Sequence, residues 1–101
     1  MEDITVAELK QRMANKETLN IFDVREANEY EAFNIGAKLI PMSEINNRLT
    51  EFETYKNEEL ILHCRSGARS GKAKQYLEGL GYTKVRNLLG GMLQWQETED
   101  A

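Results

Sequence analysis

Apolar and polar positions follow two periods along this chain, and each period predicts one kind of secondary structure. Val6, Leu9 and Met13 recur at helical spacing directly after Thr5, whose hydroxyl can cap a helix. Short apolar runs between turn residues indicate buried strands instead. By these criteria, further helices lie at 26–33, 43–48 (with Ser43 as its cap), 68–80 and 92–97, and strands lie at 19–24, 37–40, 59–63 and 84–88.

Strands and helices alternate along the sequence, which is typical of an α/β domain with a mostly parallel central sheet. The chain has 101 residues, enough for one hydrophobic core and too few for two, so we expect residues 1–101 to form a single domain. In sheets of this kind, ligands bind outside the carboxyl ends of the strands. Residues at the end of a predicted strand are therefore the first candidates for a functional site.

The composition argues against several classes of protein. The net charge of −4 argues against a general nucleic-acid binder, and the longest aliphatic run, 60–62, is too short to span a membrane. The acidic start at Met1 is not followed by an apolar segment, so no secretory signal is expected. The single cysteine cannot form an internal disulfide, which suits a reducing compartment, and we expect a cytoplasmic protein.

Cys64, the only cysteine, stands where the best predicted strand ends and a short loop leads into a helix. At such a position backbone N–H groups, the helix dipole and cationic side chains all favour a thiolate over a thiol. We therefore expect a sulfur that is ionised, open to solvent and able to attack an anionic substrate. The alternative is a small buried apolar side chain, which is the commonest fate of a free cysteine.

The loop after Cys64 favours the functional interpretation. Gly67 lets the backbone fold tightly, so that several N–H groups can point at the sulfur. Two serines add hydroxyl donors, and two arginines add planar guanidinium groups that match an oxyanion. From 64 to 86 there are six basic residues against one glutamate, which gathers positive charge near the thiol, although a solvated helix face explains the lysines equally simply. The predicted substrate-binding loop consists of Arg65, Ser66, Gly67, Ala68, Arg69 and Ser70.

Three further polar residues lie near this edge of the predicted sheet. Adjacent residues on a strand point to opposite faces, so we expect His63 to be a core histidine with a polar partner and not a base for Cys64. Asp23 and Arg25 lie at the end of the strand at 19–24, and we expect them to form a structural ion pair that braces the loop. With one histidine and one cysteine in the chain, no metal site is predicted.

A thiolate in a cationic loop fits either phosphoryl transfer or sulfur transfer, and the loop size separates the two. The protein tyrosine phosphatase signature places five residues between its His-Cys pair and its arginine. Here four residues separate Cys64 from Arg69. The ring of N–H groups is thus one residue short for phosphate or arsenate and better sized for a terminal sulfur on the cysteine.

Three segments resemble the signatures of one family. The run Asp-Val-Arg-Glu at 23–26, followed by Glu-Tyr at 29–30, is similar to the amino-terminal signature of the rhodaneses, and 64–70 is similar to their active-site loop. The run Leu-Leu-Gly-Gly at 88–91, with Trp95, resembles their carboxyl-terminal signature. Because the three segments occur in order over nearly the whole length, the chain resembles a single-domain rhodanese, a thiosulfate sulfurtransferase-like protein.

The resemblance implies a rhodanese-like α/β fold, with a five-stranded, mostly parallel sheet and helices on both faces. It implies that Cys64 accepts sulfane sulfur from thiosulfate or a similar small anionic donor, and that cyanide or a thiol, including one on a protein, then attacks the persulfide. The backbone of 65–70 would cradle the persulfide, Arg65 and Arg69 would favour anionic donors, and no cofactor is expected. The segment 33–37 lacks a histidine and a proline of the family pattern and is one residue shorter, so its loop conformation is expected to differ.

Two other functions stay open on the sequence. The first is a non-enzymatic role, as a persulfide carrier or a protein-interaction module, and an intact cysteine loop favours the carrier over a purely structural module. The second is a phosphatase or arsenate reductase of related fold, which the four-residue spacing after Cys64 disfavours.

Overall fold

The computed structural model describes residues 1–100 and contains helices and strands in alternation. None of the helices in this range is long and apolar enough to cross a membrane. In chain order the elements are α1 (Val6–Ala14), β1 (Ile21–Asp23), α2 (Ala27–Ala32), β2 (Lys38–Leu39), a 3-10 helix (Met42–Arg48), α3 (Thr50–Glu53), β3 (Leu60–His63), α4 (Ala68–Gly79), β4 (Val85–Asn87) and α5 (Gly91–Asp100).

The sheet has four strands within residues 1–100, all parallel, in the order β2-β1-β3-β4. In the register of the ladder, Asp23 of β1 lies beside His63 of β3, and both residues end their strands. Parallel strands need crossover connections, and the helices provide them. The carboxyl ends of β1 and β3 therefore meet at one edge of the sheet, as the alternating pattern predicts.

The expectation of a five-stranded sheet was wrong. The segment before α1 makes only an isolated bridge, Ile4 to Leu88, at the far side of β4. The extended segment ends after Ile4 because the Thr5 side chain accepts a hydrogen bond from Glu8 N at 3.1 Å. This cap starts α1 at Val6. The amino-terminal segment has one bridging residue where a fifth strand would need several.

Two apolar clusters cover the two faces of the sheet, so helices lie on both sides. Leu60 and Leu62 of β3 join one cluster, together with Ala73 and Leu77 of α4. Ile61, which points the other way, joins a second cluster that contains residues of α1 and α5. The members of this second cluster are Ile4, Val6, Leu9, Ile61, Leu88, Met92 and Trp95.

Two helix boundaries differ from the pattern-based prediction. Ser43 does not cap a helix, because the 3-10 helix starts at Met42 after Pro41 and the Ser43 hydroxyl donates to Glu26 Oε1 at 3.2 Å. The last helix, predicted to end near residue 97, continues to Asp100. These differences lie at element ends, where local sequence patterns are weakest.

The segment 33–37, which departs from the family pattern, has its own supports. The guanidinium of Arg25 donates to Phe33 O at 2.7 Å, and the Tyr30 hydroxyl donates to Ala37 O at 2.8 Å. Gly36 adopts a φ of +82°, which a residue with a side chain would adopt only under strain. Side-chain hydrogen bonds and a glycine turn thus hold this segment without the missing proline and histidine.

Candidate active site

Cys64 lies directly after β3, at the edge of the sheet where parallel strands end. Its side chain packs in the cluster that contains Leu62 and Ala73, and its exposed fraction is 0%. The expectation that this sulfur is open to solvent was therefore wrong for the structure as it stands. The apolar side chains of β3 and α4 close over it from the core side.

Three hydrogen-bond donors converge on the Cys64 sulfur. Gly67 N lies 3.1 Å from Sγ, Ser70 N lies 3.4 Å from it, and Ser70 Oγ lies 3.3 Å from it. Gly67 makes this possible because its φ of +103° turns the chain back over the sulfur immediately before α4. The amino terminus of α4 adds the positive end of its dipole on the same side.

These donors decide the ionisation of the thiol. Burial by itself raises the pKa of Cys64, since a charged sulfur loses water. Hydrogen bonds from the Ser70 hydroxyl and from the backbone of Ser70, Gly67 and Ser66 act in the opposite direction and outweigh burial. The pKa of the thiol is therefore lowered, and backbone amides with one hydroxyl, not guanidinium groups, are the main stabilising cause.

The start of the loop is held from the other side by α5. Met92 N donates to Cys64 O at 3.0 Å, and Leu93 N donates to Arg65 O at 2.9 Å. This contact requires Gly91, because a Cβ there would lie 2.5 Å from Cys64 O and its φ is +53°. Gly91, the first residue of α5, thus allows the helix to approach the cysteine loop closely.

Arg69 is not directed at the sulfur but at Glu29 of α2. Its two terminal nitrogens donate to the two carboxylate oxygens of Glu29 at 2.7 and 2.8 Å. These hydrogen bonds lower the pKa of Glu29 to about 2. The positive charge of Arg69 is therefore balanced, whereas Arg65 is exposed to solvent and offers its charge at the surface of the loop.

Replacing Glu29 with glutamine is expected to lower the free energy of unfolding by about 1 kcal/mol at neutral pH, a modest effect because the ion pair is partly exposed. The folded carboxyl has a pKa of about 2 against 4.5 ordinarily. The ion pair therefore contributes its full stability above pH 4.5 and loses it as the pH falls towards 2. Urea unfolding of both proteins across this range measures the difference, and a difference that is independent of pH would contradict the assignment.

Two more residues of the predicted basic cluster are engaged in ion pairs away from the thiol. Lys74 lies 2.7 Å from Asp3 Oδ1. Arg86 lies 2.9 Å from Glu8 Oε2 and 3.0 Å from Glu59 Oε2. The expectation that the positive charge gathers around the sulfur is therefore corrected, because much of it balances carboxylates elsewhere.

Asp23 and Arg25 form a buried ion pair at the end of β1. Arg25 Nη2 lies 2.7 Å from Asp23 Oδ2, and its Nε and backbone N also donate to this carboxylate. The remaining hydrogen bond of the guanidinium goes to Phe33 O, so the pair directly supports the chain after α2. Bracing of the cysteine loop by this pair stays a prediction.

His63 points to the face opposite Cys64, but the polar partner expected for it is missing. The ring is fully buried, and within residues 1–100 neither of its nitrogens has a hydrogen-bond partner. Nε2 lies 3.8 Å from Asp23 Oδ2, too far for a hydrogen bond. Burial lowers the pKa of His63 to about 4, so the ring is neutral at pH 7.

Two residues of the site were missed by sequence reasoning, Glu29 and Asn87. Glu29 lies in the first of the three family-like segments, but nothing local shows that its partner is Arg69. Asn87 of β4 donates from Nδ2 to Gly67 O at 3.0 Å and accepts from the Ser70 hydroxyl at 2.5 Å. The available signal for Asn87 was a polar amide at the carboxyl end of a short buried strand.

A shallow groove of about 330 Å³ opens between the 3-10 helix and α4. Two of its lining residues, Ile45 and Ala73, belong to the same apolar cluster as Cys64. Among residues 1–100, no group of His, Cys, Asp and Glu side chains is arranged to hold a metal ion. The chemistry of this site therefore centres on the sulfur and its hydrogen-bond donors.

Comparison with known proteins identifies the fold. A sequence profile of the rhodanese-like domain matches residues 5–98. The chain belongs to the rhodanese-like domain family. Its members include sulfurtransferases and sulfur carriers, and the rhodanese-like resemblance seen in the sequence is confirmed.

Named relatives of this rhodanese-like domain include enzymes of sulfur transfer. It is 36% identical over 96 residues to a sulfurtransferase of Allochromatium vinosum, covering 94% of this chain and 88% of that protein. It is 32% identical over 109 aligned positions to the human thiosulfate:glutathione sulfurtransferase, covering 95% and 94%. Other relatives are longer, since the chain spans 50% of YrkF and 59% of YqhL, both of Bacillus subtilis.

Solved structures agree with this rhodanese-like architecture. A rhodanese-like domain protein from Staphylococcus aureus superposes with a TM-score of 0.85 at 40% identity, over 94% of this chain and 91% of that one. The human single-domain sulfurtransferase TSTD1 superposes with a TM-score of 0.78 at 29% identity, over 94% and 95%.

Proposed function

We propose that this rhodanese-like domain transfers sulfane sulfur through a persulfide on Cys64. In the first half-reaction the Cys64 thiolate attacks the outer sulfur of a thiosulfate-like donor. A new S–S bond forms, the S–S bond of the donor breaks, and sulfite leaves with the electron pair. In the second half-reaction cyanide or a thiolate attacks the outer sulfur of the persulfide, takes that sulfur, and restores the Cys64 thiolate.

The observation that carries this proposal is the convergence of Gly67 N, Ser70 N and Ser70 Oγ on one sulfur. These donors stabilise a thiolate, which is the nucleophilic form of cysteine. Addition of a sulfur atom moves the negative charge outward by about 2 Å, the length of an S–S bond. We infer that amides of the same loop bind that terminal sulfur, and the four-residue spacing between Cys64 and Arg69 supports this inference.

Access to the sulfur requires a local opening. The outer residues of the loop, Arg65, Ser66 and Ala68, are exposed, whereas Cys64 beneath them is completely covered. The donor therefore reaches the sulfur only after an outward movement of the loop. The same cover protects a persulfide between the two half-reactions from other thiols.

The charges of the site favour an anionic donor. Among the residues that the structure describes, Arg65 has no ion-pair partner and is exposed at the loop surface, whereas Glu29 balances Arg69. The human relative is named for thiosulfate and glutathione, one anionic donor and one thiol acceptor. Thiosulfate as donor, and a small or protein-bound thiol or cyanide as acceptor, form the substrate set of this proposal, in a cytoplasmic setting that keeps Cys64 reduced.

Incubation of the unreduced protein with thiosulfate is expected to add the mass of one sulfur atom. Intact-mass spectrometry measures this addition, cyanide should remove it, and Cys64→Ala should never acquire it. Ser66→Ala, a substitution at an exposed position of the same loop, is the matched control and should still be loaded. Absence of the adduct from the wild-type protein would contradict the proposal. Hydrolysis of an aryl phosphate that disappears in Cys64→Ser would instead support a phosphatase.

A carrier without turnover is the second candidate, and the complete burial of the Cys64 sulfur favours it. The relative YrkF is named as a candidate sulfur carrier protein. With excess thiosulfate and cyanide, an enzyme produces many equivalents of thiocyanate per protein molecule. A carrier produces thiocyanate only slowly after the first equivalent and releases its sulfur faster to a protein thiol than to cyanide. Measurement of thiocyanate over time separates these two outcomes.

A further inference from the structure

Asn87 links the middle of the cysteine loop, at Gly67, to its last residue, Ser70. Its Nδ2 donates to Gly67 O at 3.0 Å, and Gly67 O can only accept, so the amide orientation is fixed. Oδ1 must then face Ser70, whose hydroxyl lies 2.5 Å away. The Ser70 hydroxyl also lies 3.3 Å from the Cys64 sulfur, and both Ser70 and Asn87 are buried.

The Ser70 hydroxyl has one proton and two candidate acceptors. When Cys64 is a thiol, this proton can remain on the short bond to Asn87 Oδ1 while the serine oxygen accepts from the thiol. When the sulfur is negatively charged, a hydrogen bond from the Ser70 hydroxyl to the sulfur stabilises that charge, and Asn87 Oδ1 then loses its donor. A buried acceptor without a donor costs free energy, so each state of the sulfur favours a different orientation of one O–H bond.

We propose that Asn87 is a positioning residue that limits the ionisation of Cys64 by competing with the sulfur for the single proton of the Ser70 hydroxyl. When the sulfur is neutral, it does not need this proton and there is little competition. When the sulfur becomes an anion, the hydrogen bond to Asn87 opposes donation of the proton to the sulfur. Asn87 thereby determines how much of the stabilisation available at Ser70 reaches a thiolate or a persulfide anion.

The charged groups around this triad are balanced or do not titrate where a thiol does. Arg69 is paired with Glu29, Arg25 with Asp23, and Lys74 with Asp3, which also accepts from Asn87 N at 3.0 Å. The pKa of Glu29 is about 2 and that of His63 about 4, both below the titration range of a thiol. Arg65 is exposed to solvent. The charged and titratable groups on the elements around the sulfur are thus Arg65, Arg69, Glu29, Asp23, Arg25 and His63, and of these Asp23 and His63 lie on the opposite face of the sheet.

The consequence for catalysis rests on the proposed function, whereas the ionisation of Cys64 can be measured without any turnover. If sulfur transfer failed and the thiol pKa still changed in the Asn87 variants as competition requires, only the proposed function would be contradicted. The measurement follows the ultraviolet absorbance of the thiolate against pH, with the pH dependence of alkylation by iodoacetamide as a second readout.

Two substitutions at position 87 separate competition from simple support of the loop. Asn87→Leu and Asn87→Asp both remove the donor to Gly67 O, so a purely structural role moves the thiol pKa in the same direction in both. Competition predicts opposite directions. Leucine removes the competing acceptor and should lower the thiol pKa by about half a unit to one unit, the size of one hydrogen bond. Aspartate offers a stronger acceptor and should raise it; because its negative charge alone would also raise the thiol pKa, only the part of this rise that disappears in Ser70→Ala counts as competition.

A Ser70→Ala background completes the test. Without the hydroxyl there is no proton to compete for, so Asn87→Leu should leave the thiol pKa unchanged there. Circular dichroism checks the fold, and Asn87→Ala, which adds no bulk, replaces the leucine variant with the same expectation if leucine does not fold. Opposite shifts that depend on Ser70 support the proposal. Shifts in the same direction, or a leucine shift that persists in Ser70→Ala, overturn it.

Discussion

Replacement of Arg25 with methionine is expected to lower the free energy of unfolding by about 3–5 kcal/mol, the usual cost of leaving one member of a buried ion pair without its partner. Asp23 has an exposed fraction of 0% and Arg25 one of 5%. Methionine keeps much of the apolar stem but removes every guanidinium hydrogen bond to the Asp23 carboxylate. Urea unfolding followed by circular dichroism measures the change.

Two controls show whether the isolated charge is the cause. The double variant Asp23→Asn, Arg25→Met removes both charges and should recover most of the loss, because replacement of a whole buried pair is often nearly neutral. Arg65→Met removes an exposed arginine nearby and should change stability by less than about 0.5 kcal/mol. If Arg25→Met cost no more than Arg65→Met, the pair would not be structurally important.

Much of the fold could be predicted because local sequence patterns determine its elements. The apolar run of β3 is bounded by polar residues, and Gly67 marks the point where α4 begins, so the position of Cys64 between them followed directly. The contacts of Cys64 with Gly67 and Ser70 join residues three and six positions apart. Interactions of this range are encoded in the loop itself and could be anticipated.

Contacts between distant elements could not be predicted in the same way. Arg69 lies 40 positions from Glu29, and nothing in the loop shows that a carboxylate of α2 takes its charge. The fifth strand was expected from the family resemblance alone, since the pattern predicts four strands, and at Ile4 the structure has a single bridge to Leu88 before the cap at Thr5 starts a helix. Competition between a local cap and a distant strand is decided by tertiary structure.

Burial was the other property that the sequence did not reveal. From the hydrogen-bond donors near Cys64 in the sequence, we expected an ionised sulfur that is open to solvent. In the structure, apolar side chains pack around Cys64 and bury it. His63 was expected to have a partner because buried polar groups usually do. Asp23 lies beside it in the sheet, but the Asp23 carboxylate is 3.8 Å from Nε2 and is already bound by Arg25.

The wild-type protein is expected to lose about 3 kcal/mol of stability through His63 as the pH falls from 6.5 to 4. Burial lowers the pKa of this ring from 6.5 to about 4 in the folded protein. In this interval the unfolded chain takes up a proton that the folded protein does not, which favours unfolding. About 2.5 pKa units correspond to the stated free energy. Urea unfolding at a series of pH values measures it.

Two variants of His63 separate titration from the cost of unpartnered nitrogens. His63→Gln stays polar but cannot titrate, so its stability should lack this loss between pH 6.5 and 4. His63→Leu should also lack it, and in addition should be more stable than the wild type at pH 7 by about 1–2 kcal/mol, because two buried nitrogens without partners are replaced by an apolar side chain. If the loss of stability with falling pH were the same in His63→Gln as in the wild type, other groups would be responsible for it.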